Sequence, residues 1–150
     1  MADSLLLLGL AARLWWATLL PAAEGEALLD PACLVVSDDQ GALQLGVAEP
    51  AGWSGSTARD VADVVVAALA PVVTGTGLAE GLAWGNVASA LLGVRGLADG
   101  VTGWVMEALT HDQLVGTMSP GGRRRSCCLF YRVPGGGLCA DCCLDRVPEG

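Results

Sequence analysis

The run Ser126-Cys127-Cys128-Leu129-Phe130-Tyr131-Arg132-Val133-Pro134-Gly135-Gly136-Gly137-Leu138-Cys139-Ala140-Asp141-Cys142-Cys143 decides how this 150-residue chain is read. It holds five of the six cysteines. Long apolar side chains are too few here to build a core. Something other than side-chain burial must order the segment, and a bound metal is the natural agent. Cys139 and Cys142 form a C-x-x-C pair, a spacing that lets two thiolates reach one ion. Cys127 and Cys128 are adjacent, and neighbouring side chains in extended backbone point apart. Both serve one site only through a turn, or by going to different metals of a cluster. Pro134 and Gly135 favour a turn, and Gly135-Gly136-Gly137 frees the loop to fold back.

On spacing alone, three kinds of site stay open. A [2Fe–2S] cluster takes four cysteine thiolates on two irons, which suits an awkward ligand pair. A structural zinc site uses the same residues, usually as two C-x(2–4)-C knuckles. Disulfides need an oxidising compartment, and the cysteine density is below that of a stapled secreted scaffold.

Composition changes just ahead of this run. Residues 1–122 carry 13 acidic side chains and three arginines; residues 123–150 carry three acids and five arginines. Ser119-Pro120-Gly121-Gly122 reads as a linker. We therefore expect a mostly helical domain over 1–122 and a metal-binding tail over 123–150. The net charge of −8 and the absence of lysine argue against a nucleic-acid binder, which needs cations along the phosphate backbone. Apolar residues make up 53% of the chain, enough for one sizeable core.

Working further outward, three apolar stripes have the i, i+3, i+4, i+7 spacing of buried helix faces. The first is Val61, Val64, Val65, Ala68, Leu69 and Val72, with Ser56 or Thr57 as cap, Asp60 in the first turn and Pro71 near the end. Trp84, Val87, Ala88 and Leu91 form the second. Val101, Trp104, Val105, Ala108 and Leu109 form the third, and Gly75, Gly77, Gly93 and Gly96 mark the breaks. Residues 4–20 read as another helix, with Ser4 as cap and Pro21 beyond its end. Two apolar runs near 33–48, around the polar turn 37–41, read as a small hairpin. Residues 49–57 read as a loop. The expected fold is mainly α: a helical bundle with a small β-hairpin and a C-terminal cysteine-rich loop.

The apolar run Leu5–Leu20 lacks a basic leader and contains Arg13, so it fits a signal peptide poorly. At 16 residues with a charge inside, it also reads as too short for a membrane span. The expectation is a cytoplasmic protein with no transmembrane segment, in which thiols stay reduced.

The tail also carries a resemblance. Arg124-Arg125-Ser126-Cys127-Cys128-Leu129-Phe130-Tyr131-Arg132 followed by Gly137-Leu138-Cys139-Ala140-Asp141-Cys142 resembles the C-terminal signature of FhuF-like ferric siderophore reductases, C-C-x10-C-x2-C. The stretches Leu82–Ala90 and Ala11–Trp15 are similar to segments of actinobacterial members. The resemblance implies a [2Fe–2S] cluster on Cys127, Cys128, Cys139 and Cys142. It further implies one-electron reduction of a ferric siderophore, supplied by a reduced donor such as a ferredoxin or flavoprotein. Cys143 departs from the pattern, standing where many members have proline. Two other functions compete: an electron-transfer or cluster-binding module without its own substrate site, and a small zinc-stabilised interaction domain.

Other residues have plainer readings. Arg123, Arg124, Arg125 and Arg132 are either a solvated basic turn or electrostatic partners of the cluster, its substrate or its donor. Trp15, Trp16, Trp84 and Trp104 read as packing residues, and Trp53 as a loop residue able to line a surface. Asn86 and Ser89 interrupt an apolar stripe and read as satisfied buried polar groups. His111 reads as a helix C-terminal dipole partner, Cys33 as a buried inert thiol, and Cys143 as either a spare thiol or a replacement for Cys142 as ligand, with Cys142 favoured. Gly75-Thr76-Gly77 is a near miss to a dinucleotide-binding motif, without the preceding strand that the motif requires.

Overall fold

The computed structural model describes residues 2–25, 28–30, 33–39, 42–49, 52–53 and 57–148. Four helices form the bulk of it: α1 Ala2–Ala23, α2 Ala58–Gly75, α3 Glu80–Val94 and α4 Val101–Ala108. Between α1 and α2 lie four short strands, β1 Leu28–Leu29, β2 Leu34–Asp39, β3 Ala42–Val47 and β4 Gly52–Trp53.

Helix α3 is the centre. Ala83 to Ala88, Ala90, Leu91 and Val94 are all buried, so the helix is covered on nearly every side. Its most extensive partner is α1, which offers Leu7, Leu10, Ala11, Leu14, Trp15, Leu19 and Ala22 at helical spacing. Trp15 is fully buried, and its indole N–H donates to the Val87 carbonyl at 3.1 Å. Burying a side chain of this size stabilises by about 3 kcal/mol, and the hydrogen bond satisfies its one polar atom.

Helix α1 is 22 residues long, not 16, and Pro21 lies in its last turn rather than beyond it. Pro21 removes one N–H donor from that turn, and the helix ends two residues later. The helix is thus long and apolar enough by composition to cross a membrane, which corrects the argument from length. Its buried face nonetheless packs on α3 and α2 as a core helix does.

Helix α2 begins at Thr57, whose hydroxyl accepts from the Asp60 N–H at 3.1 Å while the Asp60 carboxylate accepts from the Thr57 N–H at 3.0 Å. This reciprocal box holds two end groups that the helix itself leaves unpaired. The buried face is Ala58, Val61, Ala62, Val65, Val66, Leu69 and Val73; Ala68 and Val72 are exposed. The real stripe is therefore rotated from the expected one, because alanines and valines on adjacent positions fit several helical phases. Pro71 again sits inside the helix, which runs on to Gly75.

Strands β2 and β3 pair antiparallel, from Leu34 opposite Val47 to Asp39 opposite Ala42. Residues 40 and 41, which would close them into the expected hairpin, lie outside the described residues. A second antiparallel pair joins β1 to β4, Leu28 opposite Trp53. The 49–57 segment, read as loop, therefore contributes a strand. The Trp53 side chain lies outside what is described.

Candidate metal centre

The tail docks on the N-terminal half of α3. Ser119-Pro120-Gly121-Gly122 is a hydrogen-bonded turn: the Ser119 N–H donates to the Arg123 carbonyl at 2.7 Å, and the Gly122 N–H to the Ser119 carbonyl at 2.9 Å. The Arg125 N–H donates to the Thr117 carbonyl, and the Arg124 N–H to the Asp141 carbonyl. Ser126 then meets α3, its hydroxyl donating to the Gly81 carbonyl at 2.9 Å. Gly85, one turn on, makes room: a Cβ there would stand 2.5 Å from the Ser126 Oγ. The missing side chain at Gly85 thus lets the Ser126 side chain seat against α3.

The adjacent cysteines separate. Cys128 is buried, and its Sγ lies 3.5 Å from the Cys139 Sγ. The sulfur of Cys127 instead joins those of Cys142 and Cys143, all three lying within 4.8 Å of one another. Thiolates about 2.3 Å from a tetrahedral ion stand about 3.8 Å apart, so both groupings are close to ligand spacing. Leu129 follows the pair in the left-handed region, at φ 64°. This conformation costs a non-glycine residue about 1 kcal/mol. It brings the Leu129 N–H to 3.4 Å from the Cys127 Sγ. A 3₁₀ turn, Phe130–Arg132, then starts the loop back to Cys139. Gly136 closes that loop; a Cβ there would overlap the Phe130 carbonyl.

Beneath the sulfurs is a buried polar network. Arg124, 3% exposed, donates through Nη1 to the Asn86 Oδ1 at 2.6 Å and through Nε to the Asp141 Oδ2 at 3.0 Å. Asn86 donates in turn to the carbonyl and hydroxyl of Ser4, both at 2.9 Å. Ser4 donates to the Cys128 carbonyl at 3.2 Å. The first turn of α1, the middle of α3 and both cysteine pairs of the motif are therefore linked through one guanidinium. Burial alone would lower the Arg124 pKa, but the Asp141 hydrogen bond and charge, with the thiols of Cys128 and Cys139, raise it. Burial alone would raise Asp141, yet hydrogen bonds from Arg124 and Ser89 and the Arg124 charge hold it below the usual carboxylate range. Burial and the hydrogen bond to Cys128 push the Cys139 thiol up to about 12, against an opposing pull from Arg124. In the metal-free protein Cys139 therefore keeps its proton at neutral pH, and a metal that binds it must displace that proton.

The four arginines singled out in the sequence divide. Arg124 is the buried one. Arg123 donates to the carbonyls of Cys142 (2.8 Å) and Leu144 (3.0 Å) and pairs with Asp145. Arg125 is exposed, and Arg132 lies over the Tyr131 ring, away from the sulfurs' hydrogen bonds. Three plainer readings need correction. His111 does not act on a helix end: its Nε2 lies 3.2 Å from Asp63 of α2 and its Nδ1 accepts from the Gln113 N–H. Cys33 is half-buried, not fully buried, and sits just before β2. Trp16 is 60% exposed. Sequence reasoning missed Ser4 and Asp141 as members of the network. A polar residue at each buried position was the available signal, but their partners are distant in sequence.

With this geometry in view, the comparison with known families is informative. A family model, the FhuF 2Fe-2S C-terminal domain, matches residues 124–144. No curated protein and no solved structure matches the chain. The matched segment contains Cys127, Cys128, Cys139, Cys142 and Cys143 with Arg124 and Asp141, and its cofactor is a [2Fe–2S] cluster. The donor set fits that group: soft thiols in two close groupings, with a buried cation beside them. The match spans well under half of the chain, and leaves the segments 11–15 and 82–90 outside it.

Proposed function

We propose that this chain is a cytoplasmic ferric siderophore reductase whose [2Fe–2S] cluster is held by Cys127, Cys128, Cys139 and Cys142. The observation that carries the reading is the divergence of the adjacent cysteines. Cys128 lies with Cys139, and Cys127 lies with Cys142 and Cys143, which supports a thiolate pair for each of two irons. A lone zinc ion would want all four sulfurs around one centre.

When bound, the cluster supplies one-electron chemistry, its oxidised form carrying a charge of about −2 on four thiolates, two sulfides and two ferric ions. The chain's own groups make that charge tolerable. Arg124 places a buried cation beside Cys128 and Cys139, and the N–H groups of Leu129 and Leu144 point at the sulfurs of Cys127 and Cys142. The substrate side follows from metal chemistry: hard oxygen donors grip Fe(III) far more tightly than Fe(II), so one electron loosens the chelate. A groove of about 500 Å³ lies against the turn before the cysteines, lined by Leu92, Met106, Met118, Arg95 and Arg125 among others. Its apolar floor and two arginines suit an anionic chelate, and its size falls in the range of small-molecule sites. The one-electron donor is a reduced ferredoxin or flavoprotein.

The test is ferric siderophore turnover with a reduced donor, followed by trapping of Fe(II) with a ferrous chelator. Release of Fe(II) that depends on cluster-loaded protein supports the reductase. A loaded protein that exchanges electrons but leaves the chelate intact is instead an electron-transfer module. A colourless, zinc-loaded protein is an interaction domain.

A further inference from the structure

Each iron of a [2Fe–2S] cluster takes two thiolates. One sulfur grouping in this chain holds two, Cys128 and Cys139, but the other holds three. Resting on the cluster reading above, we propose that Cys143 is a reserve ligand: the iron bound by Cys127 takes its second thiolate from either Cys142 or Cys143.

The local backbone makes this possible. The Cys142 N–H donates to the Cys139 carbonyl at 3.0 Å, closing a turn. The turn brings two consecutive side chains to the same side, so that both sulfurs come within 4.8 Å of Cys127. Cys143 is half-buried, and its thiol hydrogen-bonds to Cys127. The two candidates are not equivalent. The Cys142 Sγ accepts the Leu144 N–H at 3.4 Å. Hydrogen bonds to ligating sulfur stabilise the reduced state and raise the potential, so Cys142 is the resident ligand and Cys143 the substitute. The exchange is redox-neutral. Cys143 releases its proton on binding iron, Cys142 takes one on leaving, and the iron keeps the same number of thiolates. The other iron has no such freedom. Among the described residues the sixth cysteine, Cys33, lies apart from both groupings, so loss of Cys128 or Cys139 has no thiol to repair it.

The experiment compares the full chain with Cys142→Ala, Cys143→Ala, the double variant and Cys139→Ala. All are loaded with iron and sulfide without oxygen and read by iron and sulfide content and by electron paramagnetic resonance after reduction. Both single variants at 142 and 143 should retain within twofold of the wild-type cluster content. Cys142→Ala should show shifted g values and a lower midpoint potential, and Cys143→Ala the wild-type spectrum. The double variant and Cys139→Ala should each lose the cluster at least tenfold. The proposal is overturned if Cys142→Ala loses the cluster as completely as Cys139→Ala, if its spectrum is unchanged, if Cys143→Ala alone loses the cluster, or if the double variant keeps it. Circular dichroism of the helices separates cluster loss from unfolding, and the single variants decide the question if the double one does not fold. Wild-type protein that binds no iron and sulfide overturns the cluster reading itself, and this inference with it.

Discussion

The Arg124 guanidinium donates to the Asn86 amide oxygen at 2.6 Å, in a place water does not reach, and so ties the cysteine-rich tail to the central helix. Asn86 also fixes Ser4 of α1, and Arg124 also fixes Asp141 between the last two cysteines of the motif.

Replacing Asn86 with Ala leaves a buried guanidinium N–H and the Ser4 groups short of a partner. An orphaned polar group in such a place costs about 1–3 kcal/mol, more when charged. We expect Asn86→Ala to lower the unfolding free energy from urea titration by that amount and to make the tail the first region to exchange its amide hydrogens.

Gly85 and Ser126 form a second point of contact. In isolation, Gly→Ala inside a helix stabilises by about 1 kcal/mol. Here the new Cβ meets the Ser126 hydroxyl, which donates to the Gly81 carbonyl, so Gly85→Ala should destabilise instead. The Gly85→Ala/Ser126→Ala double variant should recover most of the loss, a non-additivity that a double-mutant cycle measures directly.

The loop between the cysteines gives a sharper pair. A Cβ at 136 overlaps backbone, whereas one at 137 meets nothing within 4 Å. Gly136→Ala should therefore lose most of its iron on purification, and Gly137→Ala should retain it.

For pH, the signs differ at the two ends of the scale. The Asp141 pKa is lowered on folding, so its ion pair with Arg124 stabilises above the ordinary value of 3.8 and is lost as pH falls below it. Cys139 is raised from 9.0 to about 12, so the metal-free protein loses stability as pH climbs through that interval and the unfolded thiol ionises first. Urea midpoints of the metal-free, reduced protein should fall at both extremes, and the Cys139→Ala variant should have a weaker alkaline limb, the part that remains coming from the raised Cys143 thiol.

The groove proposed to take the substrate gives a kinetic prediction. Arg95→Ala and Arg125→Ala, each on a cluster-loaded protein, should raise KM for an anionic ferric chelate several-fold, with kcat and the visible spectrum little changed.

Much of this arrangement is legible in the chain because its signals are local. The C-C-x10-C-x2-C spacing, the Thr57 cap and the Trp84 to Leu91 stripe each depend on residues a few positions apart. What was not legible is set by distance in sequence. Nothing near Ser4 announces Cys128, and nothing near Asn86 announces Arg124, because those bonds exist only once α1 and α3 pack. The phase of α2 escaped for another reason. A valine- and alanine-rich helix has apolar residues on several faces, and only tertiary packing selects one. Pro21 misled because burial of Leu19 and Ala22 in the core carries α1 past it, despite the N–H that proline removes.

The central claim is that the tail binds a two-iron cluster, and the direct measurement is anaerobic analysis of iron and acid-labile sulfide with electron paramagnetic resonance of the dithionite-reduced protein. The account predicts two irons and two sulfides per chain, a red-brown colour and a spin-one-half signal with average g below 2 that disappears in Cys139→Ala. One zinc per chain, no sulfide and no signal would contradict it.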